Sequence, residues 1–341
     1  MPEMTPYQRT LARLQGQPVD RAPNQNILMA YAARYIGATY SELAQDYRVL
    51  VEGNLRACSG LHIDVVSAIS DPWREASAFG AEITFPEDSV PICRTPLLAS
   101  YGDWSRLAPW DPWEHERTRD RLLAIQAYRE RVGGQYPICG WVEGAAAEAA
   151  DLRGVSAFLE DLVLEPDAAH DLLALCCEAG TRFALEQVRA GADIIGIGDA
   201  VASLMSPRMY RVYALPHEQR MVGAIHEAGA LVKLHICGDT SRHVPDMVTT
   251  GADILDIDWM VDMAQAVATA AGRTSINGNY DPVAVLLEGT PQEVYDAAMS
   301  CVRAGDAKAF VSAGCEVPVN TPQENLLAHY RAVRDAARAG S

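Results

Sequence analysis

The chain has no apolar run of the ~18 to 20 residues that a membrane span needs, and its opening segment, Met1 to Gly16, has no apolar core of the signal-peptide kind. We therefore expect a cytoplasmic protein that uses no membrane. Positive charge is scarce: 28 Lys and Arg stand against 45 Asp and Glu, for a formal net charge of −17. A polyanion would be repelled by the average surface, which excludes nucleic acid as a natural partner. Long polar tracts and repeats are also missing. With 49% hydrophobic and 21% charged residues, the 341-residue chain has the profile of a well-packed enzyme rather than a disordered or fibrous protein. Its eight cysteines, in a reducing compartment, are expected to be thiols or metal ligands rather than a disulfide framework.

Eight short apolar or β-branched segments recur along the sequence: Asn24–Leu28, Asp64–Ile69, Pro137–Val142, Asp193–Gly198, Leu231–Ile236, Asp253–Ile257, Thr274–Asn277 and Ala309–Ala313. Nearly all are followed by helical spacing, at 156–178, 206–228, 240–250, 262–271, 291–304 and 322–338, long enough for parallel crossovers. Eight such units predict a single α/β domain over 1–341, a (β/α)8 TIM barrel, with an open doubly wound sheet as the alternative. The lone Gly196-x-Gly198 is too weak a pattern to support a dinucleotide fold. Residues 1–22 are expected to form an N-terminal helical extension. The span 72–136, with Trp73, Trp104, Trp110 and Trp113, is too long for a plain loop; it reads as a lid or hairpin insertion followed by a helix near 115–131.

In a barrel, chemistry comes from residues at the C-terminal ends of the strands. Those ends are polar here: Asp71, Glu143, Asp199, His235 with Cys237, Asp258, Asn277 with Asn279, and Cys315. His235 and Cys237 are two residues apart, so an extended backbone points both side chains the same way. Cys315, after Gly314, would complete a Cys2His set, for which zinc is the natural metal. Glu143 is the candidate for a displaceable fourth ligand and, with Asp71, for a catalytic role. Asp71 can equally be a turn cap before Pro72. Asp199 and Asp258 are read as residues that orient ligands or cap loops. Cys58, Cys93, Cys139, Cys176, Cys177 and Cys301 read as small buried hydrophobes.

Several ordered motifs carry a family resemblance across nearly the whole chain: Ala33-Arg34-Tyr35, Ser70-Asp71, Gly278-Asn279-Tyr280-Asp281-Pro282, and Gly314-Cys315-Glu316-Val317-Pro318 leading to Thr321-Pro322. The sequence resembles the uroporphyrinogen decarboxylase superfamily, in particular its corrinoid-dependent methyltransferase branch. Decarboxylases of that family have an arginine cluster in the first-strand loop and a histidine after the eighth strand. Here the loop reads Asn24-Gln25-Asn26-Ile27-Leu28-Met29-Ala30, keeps only Arg34, and the later position is Cys315. The resemblance implies that His235, Cys237 and Cys315 bind Zn2+, and that Arg34, Asp199, Asn279 and Tyr280 contact substrate. It further implies methyl transfer between a corrinoid (methylcobalamin type) on a partner protein and a small molecule, which could be a thiol, a folate, a methoxy compound or a methylamine. A metal-free decarboxylase-like lyase and a non-catalytic corrinoid-binding barrel are the competing readings. The insertion's tryptophans, Trp104 and Trp110, are expected to meet the corrinoid protein.

Overall fold

The computed structural model describes residues 2–99 and 107–339, so Trp104 lies outside the described residues. Nine strands occur among them: β1 Val66–Ser67, β2 Ile83–Thr84, β3 Ile92–Cys93, β4 Ile138–Glu143, β5 Ile194–Gly198, β6 Leu231–Ile236, β7 Ile254–Ile257, β8 Ser275–Tyr280 and β9 Phe310–Ala313. Seven of them form one parallel sheet in the order β1-β4-β5-β6-β7-β8-β9. β4 through β9 are buried along almost their whole length, as parallel strands covered on both faces must be.

The two edges of this sheet are joined by residues 23–27. Asp64 N donates to Asn24 O at 2.7 Å on the β1 side, while Val311 N donates to Pro23 O at 3.1 Å and Val317 N to Ile27 O at 2.7 Å on the β9 side. Ile27 also forms a parallel bridge with Glu316. The segment expected as the first strand thus closes the barrel, which rules out the open doubly wound sheet. Part of its bonding goes through side chains: Gln25 N donates to Ser312 Oγ, and Ala313 N to Asn26 Oδ1. This replaces a regular ladder.

The N-terminal extension contains one helix, Pro6–Leu14, started by a Thr5/Gln8 capping box with Pro6 in the first turn. Arg9 anchors it to fully buried Asp64 through a 2.6 Å bond from Nη1. Arg21 donates to the same carboxylate at 2.5 and 2.8 Å. The span 72–136 holds a helix at Arg74–Phe79, the antiparallel pair β2 and β3, and the expected helix at Glu116–Val132. Trp110 is not a free mouth residue. Its ring packs edge-on against Phe79 and Phe183, at 5.8 and 6.0 Å between centroids. The helical stretch expected at 156–178 is two helices, Val155–Leu164 and Pro166–Ala190, because Pro166 starts a new first turn.

Candidate metal centre

His235 is the penultimate residue of β6, Cys237 follows the strand, and Cys315 follows β9 after Gly314. Cys237 Sγ lies 3.0 Å from His235 Nε2, Cys315 Sγ lies 3.8 Å from the same nitrogen, and the two sulfurs are 3.9 Å apart. Tetrahedral zinc with Zn–S near 2.3 Å and Zn–N near 2.0 Å places two sulfurs ~3.7 Å apart and sulfur and nitrogen ~3.5 Å apart. The observed spacings straddle those values, so the donor set fits the metal. Among the described residues this is the one His/Cys/Asp/Glu group with metal-binding geometry, all donors lying within 4.8 Å of one another.

The barrel register explains how the histidine is oriented. Parallel pairing puts His235 beside Asp256 and Asp256 beside Asn277 in one layer across β6, β7 and β8. His235 Nδ1 donates to Asp256 O at 3.1 Å and is 3.4 Å from Asp256 Oδ2, which leaves Nε2 directed at the sulfurs. Asp256 is itself held by Lys233 Nζ at 3.0 Å and Asn277 Nδ2 at 2.5 Å. Burial pushes the Asp256 carboxyl up, but Lys233 and His235 outweigh it and hold it below the usual carboxylate range. Beneath the imidazole, the Trp141 ring covers β5: a Cβ on Gly196 would fall 2.2 Å from its Cε3. The Gly196-x-Gly198 spacing therefore makes room for Trp141.

The sulfurs are electrostatically prepared for metal. Hydrogen bonding from Cys237, then from His235, pulls the Cys315 thiol down to about 4 against its burial. Cys237 is the proton-keeping partner and is pushed up, first by that shared bond and then by burial. Asp258 ties the loop after Cys237 to the loop after β7, accepting from Gly238 N at 2.6 Å and Trp259 N at 2.7 Å. Gly314 is needed beside it, since a Cβ there would stand 2.4 Å from Trp259 N.

Glu143 is not part of the His235, Cys237 and Cys315 group among the described residues. Its carboxylate lies 3.9 Å from Arg74 Nη2, and burial, then Glu75 and Asp151, raise it well above the usual range. Asp71 accepts from Arg117 at 2.7 Å and from Ser70 Oγ at 2.7 Å, and caps the turn at Trp73 N. Although burial raises it, Arg117 and Arg74 hold it below the ordinary range, which suits an anchoring anion better than a proton donor.

Three of the four residues expected to contact substrate are engaged inside the protein. Asp199 is fully buried and accepts from Ala147 N at 2.7 Å, capping the helix Ala145–Arg153. Asn279 donates to Asp258 O at 3.0 Å and Val261 O at 2.5 Å, pinning the loop after β7. Tyr280 Oη pairs with His329 Nδ1 at 2.8 Å. Arg34 is exposed and bonds Asn320 in the loop beyond Cys315. Sequence reasoning missed Asp256 and Lys233, though each is a charged residue inside an apolar strand, a signal of a buried ion pair. Asp256→Asn, which keeps the shape but removes the charge, is expected to weaken zinc binding by ~10- to 100-fold. A chelator-competition titration indistinguishable from wild type would contradict this.

Comparison with known proteins agrees with this architecture. A methylcobamide:CoM methyltransferase, MtbA, from Methanosarcina mazei is 28% identical over 332 residues, covering 96% of each chain. A uroporphyrinogen decarboxylase from Nostoc punctiforme is 29% identical over 355 residues, covering 98% of each. Among solved structures, a methyltransferase from Methanosarcina mazei, 26% identical, aligns over 98% of this chain and 99% of that one with a TM-score of 0.90. The uroporphyrinogen decarboxylase (URO-D) family model matches residues 5–336, and the chain belongs to that family.

Proposed function

We propose that this protein is a zinc-dependent methyltransferase that moves a methyl group between a corrinoid carried on a partner protein and a small thiol. Overall identity does not choose between the family's two activities, because methyltransferase and decarboxylase relatives are equally similar. The observation that carries the reading is the oriented Cys2His cluster formed by His235, Cys237 and Cys315. The decarboxylase reading is disfavoured by the same position, Cys315, and by the neutral Asn24-Gln25-Asn26 segment that closes the barrel.

Bound zinc would supply Lewis acidity, keeping a substrate thiol ionised at neutral pH. The chain does the rest. Asp256 holds the His235 ring so that Nε2 faces the two sulfurs. Asp258 holds the backbone beyond Cys237 through Gly238 N. Arg34, an exposed cation, would bind an acidic tail on the small molecule. Asp71, Asp199, Asn279 and Tyr280 act as positioning residues.

The test is the loss of methylcobalamin absorbance with 2-mercaptoethanesulfonate as acceptor. Activity should disappear on chelation and return with added Zn2+. Full activity in protein verified to be free of zinc would overturn the proposal.

A further inference from the structure

Of the two expected docking residues, Trp104 lies outside the described residues and Trp110 packs against Phe79 and Phe183. Large apolar side chains are exposed elsewhere on the same face of the barrel. Leu204, Trp259, Met260 and Val283 are 46 to 61% exposed. Each stands in the segment that follows a strand: Leu204 ends the turn Ala200–Leu204 after β5, Trp259 and Met260 follow β7, and Val283 lies in the helical turn Pro282–Leu287 after β8. These loops are consecutive around the barrel, apart from the β6 loop that carries Cys237.

Two close approaches tie this arc to the ligand loops. A Cβ on Gly238 would lie 3.3 Å from Ser203 Oγ, so the residue before Leu204 touches the residue after Cys237. A Cβ on Gly314 would lie 2.4 Å from Trp259 N, so Trp259 adjoins the residue before Cys315. The apolar arc therefore borders the metal ligands directly. Exposed Asp239, in the loop of Cys237, and exposed Asp262, in the loop after β7, add negative charge at its edge.

We propose that Leu204, Trp259, Met260 and Val283 form the seat for the methyl-bearing face of the partner's corrinoid, a broad, flat and largely apolar macrocycle. The inference rests on the proposed function and specifies where its partner sits. Methyl transfer requires the methyl carbon to come into line with the acceptor sulfur at near contact, so the ring must lie over the loops that bear Cys237 and Cys315. Large apolar side chains left exposed on successive loops beside Cys237 and Cys315 suit an interaction site on an otherwise acidic protein. Tryptophan and methionine suit the role, the first as a rigid anchor and the second as an adaptable one. Asp239 and Asp262 would favour a basic rim on the protein that carries the corrinoid.

The experiment uses the zinc-loaded full chain, free methylcobalamin as the probe in turnover, and hydroxocobalamin in ultrafiltration binding. The double variant Trp259→Ser/Met260→Ser should raise KM for methylcobalamin by about tenfold or more, with kcat, thiol KM and zinc content close to wild type. Val163→Ser/Leu164→Ser, at two residues that are each 70% exposed on the helix Val155–Leu164, should change none of these. An unchanged methylcobalamin KM and unchanged hydroxocobalamin binding in Trp259→Ser/Met260→Ser would overturn the seat. If wild type binds hydroxocobalamin and the variant does not, while neither transfers methyl, the seat stands and the proposed function falls.

Discussion

Cys237→Ser protein is expected to bind zinc about two to nearly four orders of magnitude more weakly than wild type and to lose methyl transfer with the metal. An apparent zinc affinity of ~10 to 16 kcal/mol shared among three or four ligands assigns ~3 to 5 kcal/mol to each, and every 1.4 kcal/mol is about a tenfold change. A serine hydroxyl does not ionise near neutrality, so the substitution removes a negative charge as well as a soft donor. The remaining pair, His235 and Cys315 at 3.8 Å, is too small a set to hold the ion. Cys93→Ser is the matched control, since Cys93 lies in β3, outside the metal group. Metal content after gel filtration reads the result, and equal zinc in Cys237→Ser and Cys93→Ser would refute it.

The largest loss of stability is expected at the opposite end of the barrel. Asp64 is fully buried and neutralises Arg9 and Arg21, whose side chains are 3% and 9% exposed. It also accepts from Asn24 N at 2.7 Å, where the closing segment meets β1. Asp64→Ala leaves two guanidinium groups buried with less compensation, a change that costs about 3 to 5 kcal/mol. The melting temperature should fall by about 5 to 15 °C. Zinc per folded chain should not change, because the metal ligands lie at the other ends of the strands. A denaturant titration showing a loss below about 1 kcal/mol would contradict this account of Asp64.

The parts of the fold that were readable from sequence are those set by local pattern. All eight barrel segments are in place, because buried parallel strands must be short apolar runs separated by crossovers. The candidate metal group is readable because His235 and Cys237 share a strand end, and their approach to Cys315 follows from the ring of strands. Residues whose roles depend on register were harder to see. Asp256 is one apolar-flanked aspartate until pairing places it beside His235. Gly196 and Gly198 form a weak nucleotide-binding pattern in sequence, whereas in the fold Trp141 lies across both. Trp110 and Trp259 show the same limit: one packs against Phe79 and Phe183 and the other faces solvent, and nothing in their local sequence separates them. Glu143 sits at a strand end as expected, and its carboxyl is raised by burial and then by Glu75, which comes from another element.

The most direct test of the metal centre is the zinc K-edge X-ray absorption spectrum of the purified protein. The predicted spectrum has two sulfur scatterers near 2.3 Å, one imidazole nitrogen near 2.0 Å and one further ligand, with one sulfur lost in Cys315→Ser. Protein that holds no stoichiometric zinc, or whose zinc shows only oxygen and nitrogen neighbours, would contradict the assignment of His235, Cys237 and Cys315.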